Sequence, residues 1–115
     1  MKVKEIMTRD IDVVSPETIL RDAAERMSAL DVGVLPVCDN DRLVGVITDR
    51  DITVRATADG LDPFATQVGE IMSKDDLVTC GEDEEIEEAA RKMRDKQVRR
   101  LPVLNPERRR RERID

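Results

Sequence analysis

The sequence predicts an α/β fold made of two copies of one strand-helix-strand-strand-helix module, and three observations predict it. The first is repetition. Glu5-Ile6-Met7-Thr8 returns as Glu70-Ile71-Met72-Ser73, Ala23-Ala24 before Met27 returns as Ala89-Ala90 before Met93, and Leu35-Pro36-Val37 returns as Leu101-Pro102-Val103. The residue numbers differ by 65, 66 and 66, a period too long for a solenoid repeat of roughly 20–50 residues and long enough for a small folded unit. The second is a one-sided apolar stripe in each copy, Ile19, Leu20, Ala23, Ala24, Met27 and Leu30, then Ile86, Ala89, Ala90 and Met93, which is helical spacing. The third is a proline-bearing aliphatic run after each stripe, read as a strand.

Taken in order, Lys2 to Thr8 is a helical lead-in and Ile11 to Val14 a brief strand closed by Ser15-Pro16. Thr18 is placed to cap the helix that follows. Gly33 to Cys38 is apolar enough for a buried strand, but Pro36 has no N–H to donate, so the strand bulges or lies at an edge there. Asp39-Asn40-Asp41 is turn chemistry. Leu43 to Ile47 is a further strand, and Thr48-Asp49-Arg50-Asp51 opens a second helix to about Ala58, ended by Gly60. In the second copy Leu77 to Cys80 is the strand and Arg100 to Leu104 the proline-bearing strand. There the match stops. Adding 66 to Leu43 through Ile47 lands on Arg109-Arg110-Arg111-Glu112-Arg113, so the second repeat is expected to lack its last strand and helix. Residues 1–61 form the first module, 62–106 the second, and 107–115 an Arg-rich tail, exposed or disordered.

Composition narrows the function. The chain has 115 residues, 40% of them charged, with a net charge of −6; its aliphatic periodicity marks a folded protein with a charged surface. No apolar run approaches the ~18 residues of a membrane span, and Met1 to Asp10 has no signal-segment pattern, so a cytoplasmic location is expected. Cys38 and Cys80 lack CxxC spacing and read as small buried hydrophobes. There is no histidine, which removes the commonest general base and metal ligand. Phe64 is the only aromatic residue, so base-stacking platforms cannot be built. No nucleophile, metal-protease or phosphate-loop motif occurs, and no enzyme is expected. Met7, Met27, Met72 and Met93 recur at matched positions as core residues.

On Glu-Ile-Met-Thr at 5–8, Val13-Val14-Ser15-Pro16, Gly33-Val34-Leu35-Pro36-Val37 and Gly45-Val46-Ile47-Thr48-Asp49-Arg50-Asp51, the chain resembles a tandem pair of cystathionine-β-synthase (CBS) domains, a Bateman module. The resemblance covers roughly nine-tenths of the chain. It implies two repeats packed with pseudo-twofold symmetry and clefts for adenosine ligands: AMP, ADP, ATP or S-adenosylmethionine, acting as regulators, with no catalytic cofactor. It further implies that Asp51 accepts from ribose hydroxyls, that Thr48 and Arg50 face ribose or phosphate, that Val13, Val14, Val34 and Pro36 line the adenine slot, and that Arg99 and Arg100 face phosphate.

Each feature also has a plainer reading. Thr48-x-x-Asp51 is a capping box, a role compatible with ligand binding. Gly45 reads equally as a tight-packing strand glycine, and Arg99 and Arg100 as solvated arginines beside the acidic stretch Glu82 to Glu88. Asn105-Pro106-Glu107 is a competent helix start, but Arg108 to Arg113 offers no apolar face to bury. The sequence therefore supports an adenosine-ligand sensor acting through an unknown effector protein or through homodimer geometry. Its alternatives are a ligand-free dimerisation module and, less favoured on an acidic chain, a nucleic-acid adaptor using the tail.

Overall fold

The computed structural model describes residues 1–8, 11–74, 77–104 and, as a strand, 112–114. The expected helix start at Asn105-Pro106-Glu107 and most of the Arg-rich tail lie outside the described residues. The chain divides into two compact units. One is continuous, Val13–Leu77; the other joins Met1–Asp12 to Val78–Asp115. They are called here the central and the terminal unit, after their place in the sequence.

In the central unit, helix α1 (Leu20–Leu30) is followed by strands β1 (Val34–Asp39) and β2 (Arg42–Thr48). The strands pair antiparallel, with Leu35 opposite Ile47 and Pro36 opposite Val46. The turn between them places Asn40 and Asp41 at φ 51° and 64°, a left-handed conformation that short polar residues tolerate. A bulge falls between Val37 and Cys38, one residue past the proline. Leu20, Ala23, Met27, Leu35, Val37 and Ile47 are buried together, so the helical stripe and the alternating strand faces meet in one core. Each fully buried aliphatic side chain in it contributes about 1.5–3 kcal/mol.

The expected strand Ile11 to Val14 shrinks to one bridging residue, Val14, which pairs parallel with Val37. Val14 N–H donates to the Pro36 carbonyl at 3.0 Å, and Cys38 N–H donates to the Val14 carbonyl at 2.8 Å. The next bond toward Asp12 would have to come from the nitrogen of residue 36, and proline has no hydrogen there. The same proline thus ends the ladder it takes part in.

The terminal unit repeats this plan. Strand β3 (Cys80–Gly81) pairs parallel with β4 (Leu101–Leu104), with Cys80 opposite Val103, the positions 66 residues after Val14 and Val37. The strand expected over Leu77 to Cys80 is therefore shifted forward, away from Pro102. Helix α2 (Ile86–Lys96) lies between them in sequence. Both helices end on a left-handed residue, Asp31 at φ 55° and Gln97 at φ 56°. Both send a basic side chain back to the chain before them: Arg26 to the Val13 carbonyl at 2.9 Å and Lys92 to the Thr79 carbonyl at 3.0 Å.

The closing strand is reduced rather than lost. Strand β5 (Glu112–Ile114) runs antiparallel to β4, with Leu101 opposite Ile114, so the second repeat is abbreviated to three paired residues. Edge pairing is made by backbone groups and accepts a charged sequence.

The two lead-ins are exchanged between the sequence copies, each lying within the unit it packs on. Val3–Glu5 and Val68–Glu70 are single 3-10 turns, each preceded by a backbone N–H donated to its own glutamate, Lys2 to Glu5 at 2.5 Å and Gln67 to Glu70 at 2.7 Å. The first lead-in packs on the second copy: Val3 and Met7 are buried with Cys80, Ala89 and Leu101, and Val3 N–H donates to the Glu84 carbonyl at 2.9 Å. The second packs on the first copy: Val68 and Ile71 join the core of Leu20 and Leu35, and Val68 N–H donates to the Thr18 carbonyl at 2.7 Å.

This exchange also caps the helices, which corrects the role expected for Thr18. The first N–H of α1 donates to the Thr66 carbonyl at 2.9 Å and that of α2 to the Met1 carbonyl at 3.0 Å. Ile19 and Glu85, the capping residues, make no side-chain cap bond. Thr18 Oγ1 instead accepts the Ser15 N–H at 3.0 Å, tightening the preceding turn.

Candidate functional site

The chain leaves β2 at Thr48 and turns at once into a helical segment. Asp51 N–H donates to Thr48 Oγ1 at 2.9 Å, and Thr48 N–H donates to Asp51 Oδ2 at 3.1 Å. The spacing Thr-x-x-Asp thus forms the reciprocal cap it encodes. Residues Asp51–Ala56 wind as a π-helix, a wider turn that periodicity did not foresee and that is found disproportionately at functional sites. The helical run ends before Gly60, at φ 68°.

Asp51 is one of the two buried polar residues among the described residues, with 7% exposure. Besides the Thr48 N–H it receives the Ser73 hydroxyl, 3.2 Å from Oδ1 and 3.3 Å from Oδ2. Arg55 Nη1 lies 3.8 Å from Oδ1 and donates to the Ile71 carbonyl at 2.8 Å. A buried carboxylate needs such partners, because an unpaired charge out of water is costly. Ser73 was not foreseen as a site residue. The signal was there in the repeat, since Glu-Ile-Met-Thr and Glu-Ile-Met-Ser both end on a hydroxyl.

Gly45 explains how Ser73 reaches Asp51. Val46 N–H donates to the Ser73 carbonyl at 3.0 Å and Ser73 N–H to the Val46 carbonyl at 2.9 Å. A Cβ on residue 45 would lie 2.8 Å from the Ser73 carbonyl oxygen and 3.0 Å from the Met72 sulfur, too close for any side chain. Gly45 is therefore a close-approach glycine. Gly33 has a smaller role of the same kind, its carbonyl accepting the Asp49 N–H at 2.9 Å.

The central unit thus holds Val13, Val14, Val34, Pro36, Thr48, Arg50 and Asp51. Val14 is buried in the core, Val13, Val34, Pro36 and Thr48 are half-buried, and Arg50 is exposed. Arg99 and Arg100 belong to the terminal unit, just before β4, at the positions that Gly33 and Val34 hold before β1. Arg99 is exposed and Arg100 half-buried. The cysteines are free and buried. Burial pushes the Cys80 thiol up to about 11, with the nearby Glu84 carboxylate adding to the effect, so it is protonated and unreactive at neutral pH.

A CBS-domain family model matches residues 3–56 and 68–110. The chain belongs to the CBS-domain family. Among its relatives is the CBS domain-containing protein YhcV of Bacillus subtilis (strain 168), 40% identical over 103 residues, which cover 90% of this chain and 72% of YhcV. A crystal structure of Hypoxic Response Protein I with two coordinated zinc ions superposes with a TM-score of 0.82 at 35% identity, covering 97% of this chain and 91% of that one. The CBS domain pair of protein MJ0100, in complex with 5′-methylthioadenosine and S-adenosyl-L-methionine, gives a TM-score of 0.78 at 28% identity, covering 99% of this chain and 88% of that one.

Two chemical contrasts bear on these relatives. The chain contains no histidine, and among the described residues no group of three His, Cys, Asp or Glu side chains could hold a metal ion. No helix among the described residues is long and apolar enough to cross a membrane.

Proposed function

We propose that this CBS pair is a regulatory module that binds one adenosine ligand per chain, an adenine nucleotide or S-adenosylmethionine, and conveys its presence through a partner protein or through homodimer geometry rather than by catalysis. The observation that carries this reading is the Asp51 carboxylate, fixed in direction by the Thr48 N–H at 3.1 Å and backed by Arg55. A carboxylate can accept from two adjacent hydroxyls, and bonds to a charged acceptor are worth about 1.5–3 kcal/mol each. Arg50, exposed one residue away, supplies a cation for phosphate or sulfonium-bearing amino acid carboxylate. The half-buried Val34 and Pro36 offer aliphatic surface to a base. The adenosine ligands of the MJ0100 CBS pair lend support from a relative.

Titration calorimetry with AMP, ATP and S-adenosylmethionine tests it. At most one site per chain is expected, and Asp51→Ala is expected to weaken binding tenfold or more, since losing about 1.5 kcal/mol is already tenfold. Because Phe64 is the only aromatic residue, adenine retained through purification would dominate absorbance near 260 nm. No binding of any of the three, with no such band, would overturn the reading.

A second reading has one observation in its favour: Asp51 is already engaged within the chain by Thr48, Ser73 and Arg55. A module that only dimerises or docks would need nothing more of it. In that case Asp51→Ala lowers stability by about 1 kcal/mol, as for a lost cap, and changes no ligand response.

A further inference from the structure

Ser73 belongs by sequence to the second repeat, yet its hydroxyl is spent on the carboxylate of the first. It lies 3.2 Å from Asp51 Oδ1 and 3.3 Å from Oδ2. Both distances exceed the usual O–H···O range of about 2.5–3.0 Å, so one proton is shared loosely between two oxygens. The Asp51 side chain is only 9% exposed. Incoming hydroxyls therefore meet a carboxylate that is covered, and of the hydroxyl and amide groups that donate to it the Ser73 hydroxyl is the farther. Thr48 is bound reciprocally, and Arg55 is anchored separately on the Ile71 carbonyl at 2.8 Å.

Building on the ligand reading above, we infer that Ser73 is a latch: its hydroxyl satisfies Asp51 and yields when a vicinal diol takes the carboxylate, loosening the Ser73 end of the strap Ile71-Met72-Ser73 from β2. Ile71 stays buried in the core cluster that contains Ile47 of β2, and at its Ser73 end the strap has two further holds on that strand. They are the backbone pair between Val46 and Ser73, 3.0 and 2.9 Å, and the close approach over Gly45. Loss of the hydroxyl bond leaves that pair at the end of its segment, where backbone bonds open most readily. A ligand that binds better with the latch open shifts the strap toward the open state by its differential affinity for the two states. The strap leads directly into the second repeat, so the latch converts chemistry at Asp51 into a change of backbone at 71–73.

The test uses the full chain, with AMP, ATP and S-adenosylmethionine each titrated against wild type, Ser73→Ala and Ser73→Thr, and backbone amide exchange followed at Val46 and Ser73. Removing the competing hydroxyl is expected to make Ser73→Ala bind roughly fivefold tighter, and to speed exchange at both amides without ligand. Ser73→Thr keeps a hydroxyl, as Thr8 does at the matching place in the first lead-in, and is expected to behave as wild type. Saturating ligand is expected to speed exchange at these two amides in wild type and to leave Ser73→Ala unchanged. If ligand binds but Ser73→Ala binds equally or more weakly, or the two amides do not respond, the latch is wrong and the binding site stands. If none of the three ligands binds any variant, the ligand reading falls and takes the latch with it.

Discussion

The central and terminal units are two solutions to one plan, alike through the helix and the proline-bearing strand and different after it. The agreement extends to single hydrogen bonds: Arg26 and Lys92 reach back to equivalent carbonyls, Asp31 and Gln97 end their helices in the same left-handed conformation, and each lead-in caps the opposite helix. The divergence begins after the proline-bearing strand. The central unit continues into the seven residues of β2 and the Thr48–Asp51 cap, whereas in the terminal unit the described residues after β4 are the three of β5. Backbone geometry is shared despite side-chain change, while the polar cluster around Asp51 lies, among the described residues, in the central unit.

Matched substitutions sharpen that comparison. Leu35 and Leu101 are counterparts, 2% and 1% exposed, and truncation of either to alanine is expected to cost about 2–5 kcal/mol. Leu35→Ala should cost more, since its strand pairs along its full length with a long partner; urea denaturation of the two variants checks this, and an equal or reversed order would erase the distinction between the units. Gly45→Ala comes next. Its Cβ would meet a backbone oxygen at 2.8 Å, a clash expected to cost about 1–3 kcal/mol, visible as a lowered melting temperature and as loss of the Val46–Ser73 pair in amide exchange.

Smaller effects separate the two basic return contacts. Lys92 also bonds both Glu84 oxygens, at 2.9 and 3.1 Å, and Glu84 accepts the Gly81 N–H at 2.6 Å. Lys92→Met is expected to cost about 1 kcal/mol and Arg26→Met, whose bond is exposed, less than about 0.5 kcal/mol, both by denaturation. The smallest effect is at Cys80, which stands where the central unit has Val14. Cys80→Val should change stability by less than about 1.5 kcal/mol. In the native protein the thiol should resist iodoacetamide at pH 8 and react only as pH rises toward 11. The sign follows from the raised value: the folded state favours the protonated thiol, so its contribution is intact below the ordinary thiol value of 9.0 and lost as pH climbs through about 11.

Much of this was legible in the residues. The repeat offsets, both helical stripes, the β1–β2 hairpin and the Thr48–Asp51 cap are all local patterns, and local patterns survive translation into structure. What escaped was long-range. The Met1 amino group meets the Glu85 carboxylate across 84 residues, and no periodicity reports such a partner, so the exchange of lead-ins and the true caps of α1 and α2 were not foreseen. Ser73 escaped for the same reason. The residues of β5 were read as a lost strand because charge was taken as a sign against pairing, although backbone groups make the ladder. The short first strands of both units were foreseen too long, because the proline limits a neighbour that only the fold reveals.

The division of the chain also orders its synthesis. Val13–Leu77 is one uninterrupted stretch, including the lead-in that covers its own core, so that unit can complete itself as soon as its last residue clears the ribosome. Met1 to Met7 precedes that unit in the chain, yet its neighbours Glu82, Glu84 and Leu101 follow it, so this segment can find its place only after the central unit has been made. Val3 and Met7 therefore stay uncovered while the intervening residues are made. Closing so long a loop is a slow event in folding terms, and until it closes Val3 and Met7 are apolar side chains that a chaperone can hold.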